Sequence, residues 1–170
     1  MRQATQKWIV VGIVLIGTLT GCSAVRAPGF SVVAVRETER TDRAVVLGFT
    51  IEAVNPNDVA LPLRRASYTL TLDGERVFSG SRIARATVPR YGRQRFELPA
   101  VVPADRIDPT RFDRPGDMPY TLDGTVQYQR PGRLAEFLFD INLRRPKAPL
   151  HLRGTLDLPG EPGKNTPTDE

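Results

Sequence analysis

Few residues in this chain are able to do chemistry. There is one cysteine, Cys22, and one histidine, His151. A thiolate is a strong nucleophile and accepts a transferred group readily, and Cys22 stands behind two small residues, Thr20 and Gly21. Small residues there let an extended backbone enter a peptidase site. His151 sits between Leu150 and Leu152, on the strand face opposite the leucines, where it reads as a solvent-facing residue without the partners a base or metal ligand needs. Asp105, Asp108, Asp113 and Asp117 share one segment. Their spacing does not match the alternating donors of a calcium loop. Arg106, Arg111 and Arg114 lie among them, which reads as a salt-bridged surface loop. No glycine-rich phosphate loop and no nucleophile elbow is found. The expectation is a protein without catalytic residues, cofactor or metal.

The surroundings of Cys22 are more specific. Arg2 and Lys7 give a positive start, and Trp8 to Leu19 is an uncharged apolar run of 12 residues. That is too short for a membrane-spanning helix, which needs roughly 20 residues, and has the layout of a signal peptide. Leu19-Thr20-Gly21-Cys22 resembles the bacterial lipobox. The resemblance implies that a diacylglyceryl group is added to the Cys22 thiol, that the chain is cut just before it, and that palmitate-type acyl chains anchor the mature protein to a membrane. Two or three chains, at about 0.8 kcal/mol per buried methylene, make such anchoring effectively permanent. A lipidated Cys22 and a single histidine leave neither a usual zinc site nor a Cys/His nucleophile. Ser23, rather than an aspartate, follows the cysteine, which by the same resemblance favours the outer membrane of a cell envelope, facing the periplasm.

Cleavage before Cys22 removes Arg2 and Lys7 and no acid, leaving 22 basic against 19 acidic side chains, a net +3. This excess is too mild to point to nucleic acid. Lysine occurs only at positions 7, 147 and 164, so the basicity is almost all arginine. Arg82, Arg85, Arg90, Arg93 and Arg95 are clustered enough to attract anions such as lipid headgroups or phosphate; as a scattered set of arginines the run reads first as a solvated face.

These residues must be positioned by strands. A tether, 22–29, leads into segments with apolar residues at every second position. Phe30 to Glu37 is the first strand. Arg43 to Ala53 puts Val45, Leu47, Phe49, Ile51 and Ala53 on one face. Asn55-Pro56-Asn57-Asp58 breaks it, and Pro62 keeps the following residues extended. Ala66, Tyr68, Leu70 and Leu72 alternate into Asp73-Gly74, a two-residue turn demanding positive φ, and Glu75 to Phe78 returns until Ser79-Gly80. Gln94 to Val102 follows. Residues 105–117 hold at most one helical turn, around Arg106 to Phe112. Tyr120, Leu122, Val126 and Tyr128 resume the alternation, Arg130-Pro131-Gly132-Arg133 reads as a tight turn, and Leu134 to Leu143 as a strand with Phe137, Phe139, Ile141 and Leu143 on one face. A last strand carries Leu150, Leu152, Leu156 and Leu158. Seven to eight short strands and at most one short helix argue for an all-β antiparallel sandwich over 30–158. The Pro/Gly-rich tail, 159–170, is expected to be disordered.

Val45 to about Leu158 resembles the late embryogenesis abundant type 2 family, also called the water-stress and hypersensitive-response domain. The resemblance rests on Phe49-Thr-Ile-Glu-Ala-Val-Asn55-Pro56-Asn57, Leu61-Pro62-Leu63, Tyr68 to Glu75, Gly80, Val88-Pro89, Phe96 to Pro99 and Tyr120 to Gly124. It implies an immunoglobulin- or fibronectin-like sandwich and a non-enzymatic, stress-associated protein. The proline-interrupted stretch from Pro103 to Pro119 departs from the family where its helix is expected. Asn55 and Asn57 read as corner residues whose amides satisfy backbone groups at a strand exit. Taken together, the expectation is a membrane-tethered protective or binding module. Two alternatives stay open: a domain that takes a lipid or other hydrophobic ligand between its sheets, and an adaptor that offers a strand edge to an envelope protein.

Overall fold

The computed structural model describes residues 25–107, 118–141 and 145–156. The signal segment 1–21, Cys22, Ser23, the aspartates at 108, 113 and 117, Leu143, Leu158 and the tail 159–170 lie outside them.

The alternating segments fold into two antiparallel sheets. One has the order β1 (Gly29–Arg40), β2 (Ala44–Val54), β6 (Arg93–Pro103). The other runs β4 (Glu75–Ile83), β3 (Leu61–Leu72), β7 (Met118–Tyr128), β8 (Lys147–Leu156), and a two-residue strand, β5 (Thr87–Val88), pairs with the start of β3. Successive side chains of a strand point to opposite faces, so the apolar parity of each strand becomes the core. Val45, Leu47, Phe49 and Ile51 from β2 meet Leu70, Leu72, Leu122 and Leu150 from the facing sheet, all essentially without solvent exposure. Each such burial contributes about 1.5–3 kcal/mol. Phe49 packs edge-on against Tyr120 at 5.3 Å between ring centroids. Between the sheets the Tyr68 hydroxyl donates a hydrogen bond to the Pro99 carbonyl.

The β3–β4 turn is the one the Asp-Gly pair demands, with φ at +49° for Asp73 and +84° for Gly74. Beyond it the structure corrects two readings. Strand β4 does not stop at Ser79-Gly80 but continues to Ile83, paired with Arg65. The Phe78 ring covers Gly80 so closely that a Cβ there would lie 2.6 Å from it, so the glycine serves packing rather than chain termination. The second correction is larger: of the strand expected over Leu134 to Leu143, the described part, up to Ile141, is not a strand entered by a tight turn. Residues Arg133–Asp140 form a helix, α1, preceded by Gly132 at φ +108°. Leucine, alanine and glutamate are good helix formers, and apolar residues of both parities fit a 3.6-residue period. Phe139 is buried, whereas Phe137 and Ile141 are 59% and 50% exposed. Phe139 therefore does not share a face with Phe137 and Ile141.

The register separates two ends. Val54, Leu61, Ile83, Arg93, Tyr128 and Lys147 gather at the end where the chain enters β1 at Gly29. The turn at Thr41–Arg43 and the Asp73-Gly74 hairpin lie at the opposite end.

Candidate functional site

At the chain-entry end the Asn-Pro-Asn corner ties three segments together. Asn55 is 1% exposed. Its side-chain amide donates to the carbonyls of Val59 at 2.7 Å, Pro89 at 3.0 Å and Val88 at 3.3 Å. Its Oδ1 accepts from the backbone N–H and the side-chain amide of Asn57, at 3.0 and 2.7 Å. Asn57 in turn holds the incoming chain: its Oδ1 accepts from the Arg26 N–H at 2.8 Å and its Nδ2 donates to the Arg26 carbonyl at 2.9 Å. The Asn57 carbonyl accepts from the Tyr91 N–H at 2.8 Å. Pro56 is exposed; its fixed φ sets the bend between the two amides. The motif therefore fixes the entering chain and the 89–92 loop relative to one another.

Tyr91 is the consequence. It is 73% exposed, yet its backbone is held at φ +49°, a left-handed conformation that bulky residues rarely adopt. Arg85, exposed in the neighbouring connection, is the same, at φ +46°. The five arginines do not form one cluster. Arg93 and Arg95 lie on the outer face of β6, both paired with Glu52, at 3.2 and 3.5 Å. Arg82 lies on β4 opposite Ala66, and Arg85 and Arg90 flank β5 on the connections at the chain-entry end.

Helix α1 is clamped at the same end. The Arg64 and Arg145 guanidinium groups stand 6.0 and 5.2 Å from the Phe139 ring centroid, within cation–π range. Arg64 Nε donates to Gln129 Oε1 at 3.0 Å and Arg145 Nε to the Phe139 carbonyl at 3.1 Å.

His151 is exposed on the outer face of β8 and hydrogen-bonded to Asp123, its cross-strand neighbour on β7. This partner was legible in principle, because Asp123 and His151 share the outward parity of adjacent strands, but only the register brings them together. A base oriented by an acid is half of a hydrolytic arrangement. Among the described residues no hydroxyl is hydrogen-bonded to His151, and no three His, Cys, Asp or Glu side chains gather as metal ligands. Burial pushes the Tyr68 phenol up to about 12, against a smaller opposing pull from Arg82, and likewise raises that of Tyr120. Neither ring is a base at ordinary pH.

Between β1 and β8, an edge strand of each sheet, lies a groove of about 480 Å³ lined by Val32, Val35, Tyr120, His151, Leu152 and Arg153 among others. It mixes apolar and charged walls. No described helix is long and apolar enough to cross a membrane.

A family model described as late embryogenesis abundant protein matches residues 50–142. Among solved structures, a solution structure of an Arabidopsis thaliana protein is similar with a TM-score of 0.60 at 18% identity, over 84% of this chain and 87% of that one. A solution structure of a late embryogenesis abundant protein gives 0.57 at 16%, over 91% and 79%. An X-ray structure of a structural-genomics target gives 0.52 at 13%, over 87% and 99%. At these identities the likeness is one of fold. No curated protein matches the sequence.

Proposed function

Because the chain belongs to the late embryogenesis abundant type 2 family, we propose that it is a non-enzymatic envelope lipoprotein whose stress-associated β-sandwich is a protective or binding module held at a membrane surface. The observation that carries this reading is the placement of the chain's one cysteine directly behind Leu19-Thr20-Gly21 and the short apolar run. The folded domain begins almost at once: Val25 already packs against the core. The lipid on Cys22 anchors the protein, with the outer membrane as its site and the periplasm as the space it faces. In this reading the module works by binding or protection, without catalytic residues, cofactor or metal. Nothing in its modest charge calls for nucleic acid.

The test compares intact mass and membrane fractionation of the wild-type protein and Cys22→Ala. Wild type is expected to start at Cys22, carry lipid-sized added mass and stay with membranes, while the variant loses both. An unmodified wild-type protein with its original N-terminus would overturn the anchor.

The β1/β8 groove favours a second reading, in which the domain takes a hydrophobic ligand or an added strand from an envelope protein. Its volume lies within the range of small-molecule pockets, roughly 300–1,000 Å³. Native mass spectrometry of the purified protein decides for the ligand if a stoichiometric molecule survives, and for the strand if an envelope cross-link is lost when charges are placed on β8.

A further inference from the structure

We infer that the chain-entry end of the sandwich, presented by Arg26, Arg85, Arg90 and Tyr91, is a docking face for the anionic headgroups of the membrane that holds Cys22. The inference rests on the lipid-anchor reading and adds to it an orientation and a lipid preference. Distance comes first. Cys22 precedes Val25 by three residues, and three residues of extended chain reach about 11 Å at most. The headgroup layer on each side of the hydrocarbon core is itself about 5–7 Å deep. An acylated Cys22 therefore keeps the end that holds Val25 and Arg26 within about a nanometre of the lipid. The Asp73-Gly74 hairpin is a strand length away, at about 3.3 Å per residue along β3 (Leu61–Leu72).

The chemistry of that end fits what it would meet. Arg26, Arg85 and Arg90 are exposed there, and neither Arg85 nor Arg90 has an ion-pair partner among the described residues. Among the described side chains the acids at this end include Asp58, Asp140 and Glu52, the last already held between Arg93 and Arg95. Among the described residues, the opposite end holds two ion pairs, Glu37 with Arg40 and Glu75 with Arg106. Exposed Tyr91, with Phe137 on α1 and Ile141 just after it at the same end, adds the amphipathic and apolar groups that settle at a membrane interface.

Tyr91 is also held outward rather than left loose. Its left-handed backbone is fixed by the hydrogen bond from its N–H to Asn57, and the same asparagine grips Arg26. Strained, exposed residues persist where the surrounding structure over-determines them, and they gather at functional sites. Here the strain falls on Tyr91 and Arg85, two of the three described non-glycine residues with positive φ; the third, Asp73, belongs to the hairpin turn.

The sole tryptophan, Trp8, lies in the segment that maturation removes, so Tyr91→Trp makes a single reporter in the mature full-length lipoprotein, with wild type as the blank and Arg76→Trp at the far end as the control. Each protein is reconstituted into phosphatidylethanolamine vesicles with and without phosphatidylglycerol, and quenching by brominated lipid is measured. The expected result is quenching several-fold stronger for Tyr91→Trp than for Arg76→Trp, increased by phosphatidylglycerol and reduced when Arg85 and Arg90 are both changed to Ser. Equal quenching of the two reporters overturns the docking face while leaving the anchor standing. Shielding of Tyr91→Trp in native envelopes without lipid quenching in vesicles also overturns it, in favour of a protein partner. If the wild-type blank fluoresces and carries no lipid mass, the anchor reading fails and the docking face falls with it.

Discussion

Asn55 shows how much one polar side chain carries. It is buried and serves three carbonyls and two groups of Asn57, and a buried polar group left without its partner costs about 1–3 kcal/mol. Asn55→Ala is therefore expected to lower unfolding stability by about 3 kcal/mol, read as a fall in the urea midpoint. Asn57→Ala should cost less, because its side chain bonds only to Asn55 and the entering chain while its tie to Tyr91 is through the backbone carbonyl that the variant keeps, but it should release residue 26 to rapid amide exchange. The residue types at this corner were legible in the sequence as turn formers that satisfy backbone groups. What they hold was not: Arg26 and Pro89 stand 31 and 34 positions from their partners, and nothing local marks such pairings. Tyr91 left only a faint signal, an aromatic residue set between Arg90 and Gly92 in a polar loop.

Elements were legible wherever one parity of a strand is apolar and the other is not, as in β2, β3 and β7. The reading failed at Phe137, Leu138 and Phe139, where consecutive apolar residues satisfy either period and helix propensity decides. Gly80 is the other such place: a glycine in a strand carries the same signal whether it ends the strand or, as here, makes room for the Phe78 ring. A different glycine sets the fit between β7 and β3. A Cβ on Gly124 would lie 2.1 Å from the Ser67 carbonyl oxygen and 2.8 Å from the Tyr68 Cα. Backbone cannot step aside as a side chain can, so Gly124→Ala is expected to destabilise the fold by at least about 2 kcal/mol. Gly154→Ala, whose nearest contacts are the Tyr120 ring and hydroxyl, should cost less; thermal melts of the two variants make the comparison.

For the whole molecule, the two sheets are joined by apolar contact and by the hydrogen bond from Tyr68 to Pro99. The Tyr68 phenol is raised by burial from 10.0 to about 12. A raised value in the folded state means that the folded protein keeps this proton where the unfolded chain gives it up. The stability tied to Tyr68 is complete below about pH 10 and is lost as pH rises from there through about 12. Denaturation midpoints should fall across that window. In Tyr68→Phe the fall should be shallower, with a lower plateau at neutral pH because the Pro99 carbonyl loses its partner. The two-layer architecture itself was legible from alternation alone, whereas the order of strands within each layer depends on pairings between distant segments that periodicity does not encode.

The grip of Asn57 on Arg26 has a mechanical side. Both of its bonds lie ahead of the first rung of β1, Gly29 opposite Val54. A pull delivered from upstream of Val25 thus reaches the clasp before it reaches the ladder. The edge strand cannot be peeled rung by rung until two hydrogen bonds, loaded together, have given way. A domain tugged through the segment ahead of Val25 would meet that motion at an asparagine.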